Sequence, residues 1–357
     1  YRGGHTYAVQ CVAATEDHVF TGAEDTTVVM YERKGEGKQI GTFKGHRRAV
    51  YCMCITKDRK GLITGSWDRT IILWTISNQE KVRTFRGHRG VVVSVDTYGD
   101  LLVSGGTDNI LILWSISKGN RLRDLRGHTR MVHCVRFSSF DGKSVFSGSG
   151  VKTVIRSNVS DGAQIMKYEG GHTDRVCSLA VTRDDSKLIT GSRDHTCIIW
   201  NVLSGAGLNI FRGHDDSVSS VALSPCERYF ASGGSGDKMM RLWDIAKGGL
   251  VHVLTDHGSA VGDVTFSRRH TLLTASWDRT AIEYDVSSLL KDIPARFALL
   301  HCLRTIRNRT TATSSRNRRV DDGGNLCADA SIKSAYDQRD SSEERTRYLM
   351  CCLTRSL

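Results

Sequence analysis

Groups that could carry out nucleophilic chemistry recur along this chain, because a histidine, a hydroxyl residue, an aspartate and an aromatic residue occur together six times. Histidine, hydroxyl and carboxylate are also the three groups of a hydrolase triad. The six sets are His46, Thr64, Asp68, Trp74; His88, Ser104, Asp108, Trp114; His172, Thr190, Asp194, Trp200; His214, Ser232, Asp237, Trp243; His5, Thr21, Asp25, Tyr31; and His257, Thr274, Asp278, Tyr284. A catalytic triad has no reason to occur six times in one chain. We therefore interpret each set as a structural relay of buried hydrogen bonds.

The spacing of the histidines also argues against a metal site. His5, His46, His88, His128, His172, His214 and His257 follow one another at intervals of 40 to 44 residues, with no second ligand nearby. A protein metal site needs several ligands that converge on one point. The sequence therefore predicts no catalytic residue, no cofactor and no metal ion.

The same spacing divides the chain into seven units. Each unit has a turn of small residues, such as TGSWD, SGGTD or TGSRD, and most continue into an apolar run such as IILW or LILW. The short runs are β-rich, turn residues separate them, and no amphipathic helical stretch interrupts them. Such units cannot bury an apolar face alone, so they must stack or close into a ring.

With these glycine–histidine and tryptophan–aspartate motifs in register, residues 1–286 resemble the WD40-repeat family. The resemblance implies an all-β fold, a seven-bladed β-propeller of four-stranded antiparallel blades. It places each histidine in the loop between the outer strand of one blade and the inner strand of the next. The aspartate would lie in the turn between the second and third strands, and the aromatic residue would end the third strand.

The fourth unit departs from the pattern. Val151 stands where the aspartate belongs, and Ser157 stands where the tryptophan belongs. Two interpretations remain open. The blade is held by its apolar strands and its neighbours, or it is locally softened and adapts to a partner.

The two ends of the chain depart from the pattern as well. Residues 1–5 (YRGGH) echo residues 168–172 (YEGGH), which would be the end of an outer strand and its loop. In the family the chain start often supplies the outer strand of the last blade. Here only the last residues of such a strand are present, so either the rest of that strand is missing from this sequence or residues 297–303 (FALLHCL) fill its place. We expect a closing strand or a short helix in residues 287–303 and a polar, mostly disordered tail in residues 304–357.

Composition excludes further classes of protein. The chain has 357 residues, 39% of them hydrophobic, and no apolar run approaches the roughly 20 residues of a membrane helix. The formal net charge of +12 favours acidic partners, but the scattered basic residues argue against nucleic acid. The 11 cysteines form no CxxC pair and lie largely in apolar segments, which predicts an intracellular protein of the cytoplasm, the nucleus or both.

The resemblance also implies a partner-binding surface on the narrow, upper face of the propeller. Carried over, that face includes Tyr51, Trp67, Val91, Met131, His133, Arg175, Arg193 and Trp277. Exposed tryptophan, tyrosine and arginine are typical anchors of protein interfaces. The predicted function is a non-catalytic scaffold that binds other proteins or peptides and so assembles complexes. The alternatives are a ubiquitin-ligase substrate receptor for an acidic or phosphorylated peptide, a nucleic-acid-associated protein and an enzyme; oligomeric state is left open.

Overall fold

Strands of five to seven residues alternate with tight turns throughout the part of the chain that the computed structural model describes, residues 1–34, 37–267, 271–287 and 289. The strands are β1 (Val9–Ala14), β2 (His18–Ala23), β3 (Thr27–Glu32), β4 (Gln39–Lys44), β5 (Val50–Ile55), β6 (Gly61–Ser66), β7 (Thr70–Thr75), β8 (Lys81–Arg86), β9 (Val92–Tyr98), β10 (Leu101–Gly106), β11 (Leu111–Ser115), β12 (Arg121–Leu125), β13 (Val132–Phe137), β14 (Ser144–Ser149), β15 (Val154–Asn158), β16 (Gln164–Tyr168), β17 (Val176–Val181), β18 (Lys187–Ser192), β19 (Thr196–Asn201), β20 (Gly207–Arg212), β21 (Val218–Leu223), β22 (Tyr229–Gly234), β23 (Met240–Asp244), β24 (Gly249–Leu254), β25 (Val261–Phe266), β26 (Thr271–Ser276) and β27 (Ala281–Asp285). No helix occurs in these residues, and therefore none that could span a membrane.

Consecutive strands pair antiparallel into seven blades, β1–β4, β5–β8, β9–β12, β13–β16, β17–β20, β21–β24 and β25–β27. The predicted all-β, seven-bladed propeller is confirmed. Six blades have four strands, and the described part of blade 7 has three. The expected disordered tail (304–357) and, apart from residues 287 and 289, the expected closing segment (287–303) lie outside the described residues.

Burial is highest in the middle of a blade and falls towards the rim, which explains the sequence pattern of these strands. All six residues of the second strand of blade 2, β6, are buried, whereas its outer strand, β8, buries Phe85 alone. A strand covered on both faces by neighbouring blades takes small and apolar residues throughout. An outer strand needs one strong apolar contact and is otherwise polar.

The hydrophobic core consists of clusters that lie between neighbouring blades. Phe43 of blade 1 packs edge-on against Trp74 of blade 2, with ring centroids 5.7 Å apart. Within the described part of the chain, the seam between blade 7 and blade 1 has a smaller set of fully buried side chains, and the aromatic ring that packs on it, Tyr1, is only partly buried. Its buried members are Val9, Val12, Val19, Ala23, Leu273 and Ala275.

Polar contacts reinforce this seam. The Tyr1 backbone nitrogen donates to the Ala281 carbonyl at 2.8 Å, and the Ala281 amide donates back to the Tyr1 carbonyl at 3.2 Å. Tyr1 thereby occupies the outer position beside β27. These contacts do not distinguish the two sequence-based alternatives for the rest of this outer strand, because residues 297–303 lie outside the described residues.

A β-bulge interrupts the pairing of every inner strand with its neighbour. The bulged residues are Gln10, Tyr51, Val93, His133, Cys177, Ser219 and Gly262. A bulge inserts one extra residue and redirects a side chain. All seven bulged residues line one cavity at the upper mouth of the central channel.

Candidate functional site

The residue sets found in the sequence form hydrogen-bonded relays in six blades. In blade 2, His46 Nδ1 lies 2.9 Å from an Asp68 carboxylate oxygen, and Nε2 lies 2.7 Å from the Thr64 hydroxyl. Trp74 Nε1 donates to the same hydroxyl at 2.9 Å. Equivalent bonds join histidine, aspartate and hydroxyl in blades 1, 3, 5, 6 and 7.

Electrostatics hold these aspartates in the charged form. Burial would raise the pKa of Asp68, but hydrogen bonds from His46, Thr70 and the Arg47 amide outweigh burial and lower that pKa far below its ordinary value. The same balance lowers the pKa of Asp237 to about 2. Each carboxylate is therefore a permanent acceptor that orients its histidine.

The relay geometry does not suit nucleophilic catalysis. Thr64 is fully buried between blades, and its hydroxyl lies 3.5 Å from the Ile72 carbonyl, to which it donates. Ser104 is equally buried, and its hydroxyl makes the same bond to Ile112 at 3.4 Å. A hydroxyl enclosed in this way cannot reach a substrate, so the relays connect strands and loops.

Blade 4 retains only a remnant of the relay. His128 Nε2 still contacts the Ser147 hydroxyl at 2.8 Å, but Val151 takes the aspartate position, and His128 Nδ1 has no partner among the described residues. Ser157 is buried at the tryptophan position. Burial lowers the pKa of His128 to about 4, since no carboxylate stabilises its charged form.

One recurring backbone bond defines the upper face, the side of the ring with the histidine loops and aspartate turns. In each blade an amide next to the aspartate turn donates to the carbonyl three residues after the histidine, as in Trp67 to Ala49 at 3.0 Å. The donor immediately precedes the aspartate position except in blade 6, where Ser235 lies two residues before Asp237. The seven donors are Glu24, Trp67, Thr107, Gly150, Arg193, Ser235 and Trp277. Glu24, Trp67 and Trp277 therefore hold equivalent backbone positions in blades 1, 2 and 7.

The structure brings four of the predicted face residues together. Tyr51, His133, Arg175 and Trp277 line the channel-mouth cavity of about 290 Å³. Tyr51 also stacks on Trp67, with ring centroids 6.3 Å apart and planes inclined by 28°. Trp67 and Trp277 are each 47% exposed and Tyr51 is 36% exposed, so an aromatic surface faces solvent.

The other predicted face residues lie outside the cavity lining. Trp67 is joined to the cavity through Tyr51, whereas Met131 and Arg193 are exposed on the upper face and Val91 is half-buried. These positions form a wider surface around the cavity mouth.

Comparison with known proteins agrees with this geometry. The family model described as "WD domain, G-beta repeat" matches residues 37–75, 79–115, 119–151, 162–201, 205–244 and 248–285. The chain belongs to the WD40 family. The solved WD40 β-propeller domain of Doa1 superimposes with a TM-score of 0.74 at 23% identity, covering 81% of this chain and 96% of that domain. This likeness confirms the fold.

Individual relatives of this WD40 protein are distant. An uncharacterized WD repeat-containing protein of Schizosaccharomyces pombe is 27% identical over 212 residues, 57% of each chain. Cell division control protein 4 of Saccharomyces cerevisiae is 29% identical over 253 residues, 64% of this chain and 31% of that protein. Human cilia- and flagella-associated protein 52 is 23% identical over 231 residues, 64% of this chain and 30% of that protein. The chain spans between about a third and just over half of the length of these relatives.

Two buried arginines of the WD40 propeller do not follow from the repeat pattern. Arg241 enters the blade 6 relay, where its guanidinium contacts Asp237 at 2.6 Å and His214 Nδ1 at 2.9 Å. Arg33 joins blade 1 to blade 7 through Glu283. Arg33 lies in the polar turn after β3, so only the folded ring reveals its partner. The sequence does indicate a special role for Arg241, because this arginine interrupts the otherwise apolar run MMRLW, most of which forms the buried strand β23.

Charged side chains also occur deeper in the channel. Desolvation opposes the charge of Arg136, but attraction to Asp96 and Asp263 outweighs it and raises the pKa of the guanidinium. Burial raises the pKa of both aspartates. Asp263 also accepts the Val12 amide at 3.1 Å, so it links blade 7 to blade 1 from inside the channel.

Proposed function

We propose that this WD40 propeller is a non-catalytic scaffold that assembles protein complexes by binding segments of other proteins on its upper face. The supporting observation is the ring of bulged residues, one from each blade, that lines one cavity bordered by exposed aromatic groups. Exposed tryptophan and tyrosine around a concave site are typical of interface hot spots. A ring of interlocked blades presents such a site in a preformed shape, which lowers the ordering cost of binding.

The proposed location is intracellular, in the cytoplasm, the nucleus or both. All seven cysteines of the described residues are free thiols, and Cys11, Cys134 and Cys197 are buried. Burial raises the pKa of the Cys197 thiol to about 12, which keeps it protonated and unreactive. Free thiols of this kind are typical of reducing compartments.

Affinity purification followed by mass spectrometry tests the scaffold function. The bait is the full chain, compared with the variant that carries both Trp67→Ala and Trp277→Ala. We expect partners recovered by the unchanged chain to be depleted at least tenfold with the variant, because each truncation removes an exposed aromatic anchor. Undiminished recovery with the doubly substituted chain would contradict the proposed surface.

A control separates this surface from the rim of the ring. Leu208 and Leu250 are exposed on the outer strands β20 and β24. The variant with Leu208→Ala and Leu250→Ala removes two exposed apolar side chains away from the upper face. We expect its partner recovery to match that of the unchanged chain.

A further inference from the structure

Buried polar atoms without partners are concentrated in one sector of the upper face. Among the described residues, the buried side-chain polar atoms that lack a hydrogen bond are His128 Nδ1, His133 Nε2, Thr153 Oγ1 and Arg175 Nε. The first three belong to blade 4, and Arg175 lies immediately before the inner strand of blade 5. A buried polar atom without a partner is costly, so each such atom calls for an explanation.

Two of these atoms belong to side chains that line the channel-mouth cavity. The β-bulge in β13 directs His133 there, and Arg175 lies beside it. Burial and the charge of Arg175 lower the pKa of His133 to about 4, so its imidazole is neutral at pH 7. The pair therefore offers a guanidinium charge and a neutral ring nitrogen that can donate when it carries the proton.

The Arg175 guanidinium forms no ion pair within the described part of the chain. The neighbouring Asp174 carboxylate instead accepts the Arg175 backbone amide at 2.6 Å. Asp263, the acidic side chain that lines the same cavity, is bonded to the Val12 amide and to the Ser220 hydroxyl. The positive charge at the mouth is therefore not matched by an acidic partner of its own.

Gly150 leaves the approach to this pair open. Other blades carry a side chain at this position, including Trp67 in blade 2 and Trp277 in blade 7. A Cβ atom built on Gly150 would lie 3.9 Å from His133 Nε2 and 3.4 Å from Arg130 Cβ. Position 150 therefore places no side chain over His133, whose Nε2 is buried and without a partner among the described residues.

We propose that His133 and Arg175 form a subsite for an oxyanion, the carboxylate or phosphoryl group of an acidic side chain in a protein segment that enters the channel mouth across Gly150. The inference rests on the proposed scaffold function and specifies the chemistry of the bound segment. The guanidinium pairs with two oxygens of such a group, and the imidazole N–H donates to one of them. Tyr51 and Trp277, on the same cavity, contact apolar neighbours of the acidic residue.

Charge around the subsite fits this occupant. Arg130 and Arg193 are exposed on the upper face of blades 4 and 5, next to the opening. Exposed arginines attract an acidic segment over roughly 8–10 Å, and salt weakens this attraction. The buried pair at the cavity then holds the anion itself.

Binding of labelled peptides to the full chain tests the subsite. The probes are fluorescein-labelled decapeptides of one alanine–serine sequence that carries at its centre a glutamate pair, a glutamine pair or a phosphoserine. We expect the glutamate or phosphoserine peptide to bind at least tenfold more tightly than the glutamine peptide. Equal binding of both anionic probes indicates that any oxyanion suffices, whereas tighter phosphoserine binding identifies a phosphoryl site.

Two variants and one matched control locate the binding. Arg175→Gln removes the guanidinium, and Gly150→Trp keeps both polar groups but closes the opening. Arg193→Gln removes one exposed positive charge from the same face outside the cavity lining. We expect Arg175→Gln and Gly150→Trp to weaken binding of the anionic peptide at least tenfold. The control, Arg193→Gln, should weaken it less than threefold. The melting temperature of the Arg175→Gln protein should be unchanged.

Other outcomes would overturn the inference. Equal weakening by Arg175→Gln and Arg193→Gln would show diffuse attraction rather than a subsite. The absence of anionic-peptide binding, or Arg175-dependent binding of a random RNA oligonucleotide in its place, would also contradict it. If cellular partners require Trp67 and Trp277 but not Arg175, the oxyanion subsite is wrong and the scaffold function stands. If partners require none of the three, both proposals fail.

Discussion

The Arg33 side chain of blade 1 donates to the Glu283 carboxylate of blade 7, with 2.7 Å between Nε and Oε1. Glu283 also accepts the Tyr1 hydroxyl at 2.7 Å. Arg33 Nη2 contacts the Ser267 hydroxyl at 2.7 Å, and it contacts Thr271. Among the described residues this network spans the seam with the smallest buried apolar cluster, so polar contacts add to the packing of Tyr1 against Tyr31 where the ring closes.

The seam network predicts a specific loss of stability. Glu283→Gln keeps the shape of the side chain but removes its charge, and the Arg33 side chain is only 7% exposed. We expect the free energy of unfolding in urea to fall by about 1–3 kcal/mol, as when a buried charged group loses its partner. The control is Lys34→Gln, which breaks the exposed pair with Asp17 and should change stability by less than about 0.5 kcal/mol. Equal losses would contradict a structural role for the seam pair.

The relays predict opposite effects of substitutions at equivalent positions in blades 5 and 4. Asp194→Ala removes the acceptor of His172 Nδ1, a bond of 2.8 Å, and should destabilise the propeller by about 1–3 kcal/mol. Val151→Asp supplies the acceptor that His128 lacks and should stabilise it by about 1 kcal/mol. Val151→Ala, which truncates a half-buried side chain, should have a smaller effect than Asp194→Ala. Urea denaturation measures all three. A loss with Val151→Asp would show that the gap in blade 4 cannot hold a carboxylate.

Acid should weaken the propeller through His128. Burial lowers its folded-state pKa to about 4, against an ordinary value of 6.5, so the unfolded chain binds a proton that the folded chain does not. The stability contributed by neutral His128 is complete above the pKa of this histidine in the unfolded chain. This contribution is lost as the pH falls from about 6.5 towards 4. The slope from this residue is at most about 1.4 kcal/mol per pH unit.

The Val151→Asp variant isolates this contribution. A carboxylate beside His128 favours the charged ring, so the variant should lose less stability than the unchanged chain between pH 6.5 and pH 4.5. Other titrating groups, including His133, are common to both proteins and cancel in the difference. Urea denaturation at several pH values measures it, and parallel curves would contradict the assignment.

Contacts that recur from repeat to repeat could be predicted from the sequence, whereas contacts that occur only once could not. His46, Asp68, Thr64 and Trp74 are fixed within one unit, so their spacing indicated a common hydrogen-bonded role. The bond between Arg33 and Glu283 joins residues 250 positions apart, and it has no counterpart in the other blades as far as the structure describes them. No periodic signal can identify such a contact.

The site was predicted only in part for the same reason. The resemblance placed Tyr51, His133 and Arg175 on the upper face, but it did not show that β-bulges direct side chains into the channel. The sequence also did not predict a role for Gly150. That role becomes visible only when Gly150 is compared with the larger side chains at the equivalent positions of other blades. The buried charges of Arg136 and Asp263 likewise acquire partners only when the ring closes.

The incomplete relay of blade 4 predicts a local difference in hydrogen exchange. Buried polar atoms without partners lower the cost of opening, so amides of β14 and β15 should exchange faster than the equivalent amides of β10, β11, β18 and β19. Mass spectrometry of peptic fragments measures this difference in the unliganded chain. Uniform protection across blades 3 to 5 would favour the other sequence interpretation, a blade held firmly by its apolar strands and neighbours.

Hydrogen-exchange footprinting of the propeller with a partner recovered by affinity purification tests the docking surface most directly. The predicted result is protection of the upper-face segments around Tyr51, Trp67, His133, Arg175 and Trp277, with the outer strands unchanged. Protection confined to the rim, around Ile165, Leu208 and Leu250 on the outer strands, would contradict the upper face as the docking surface.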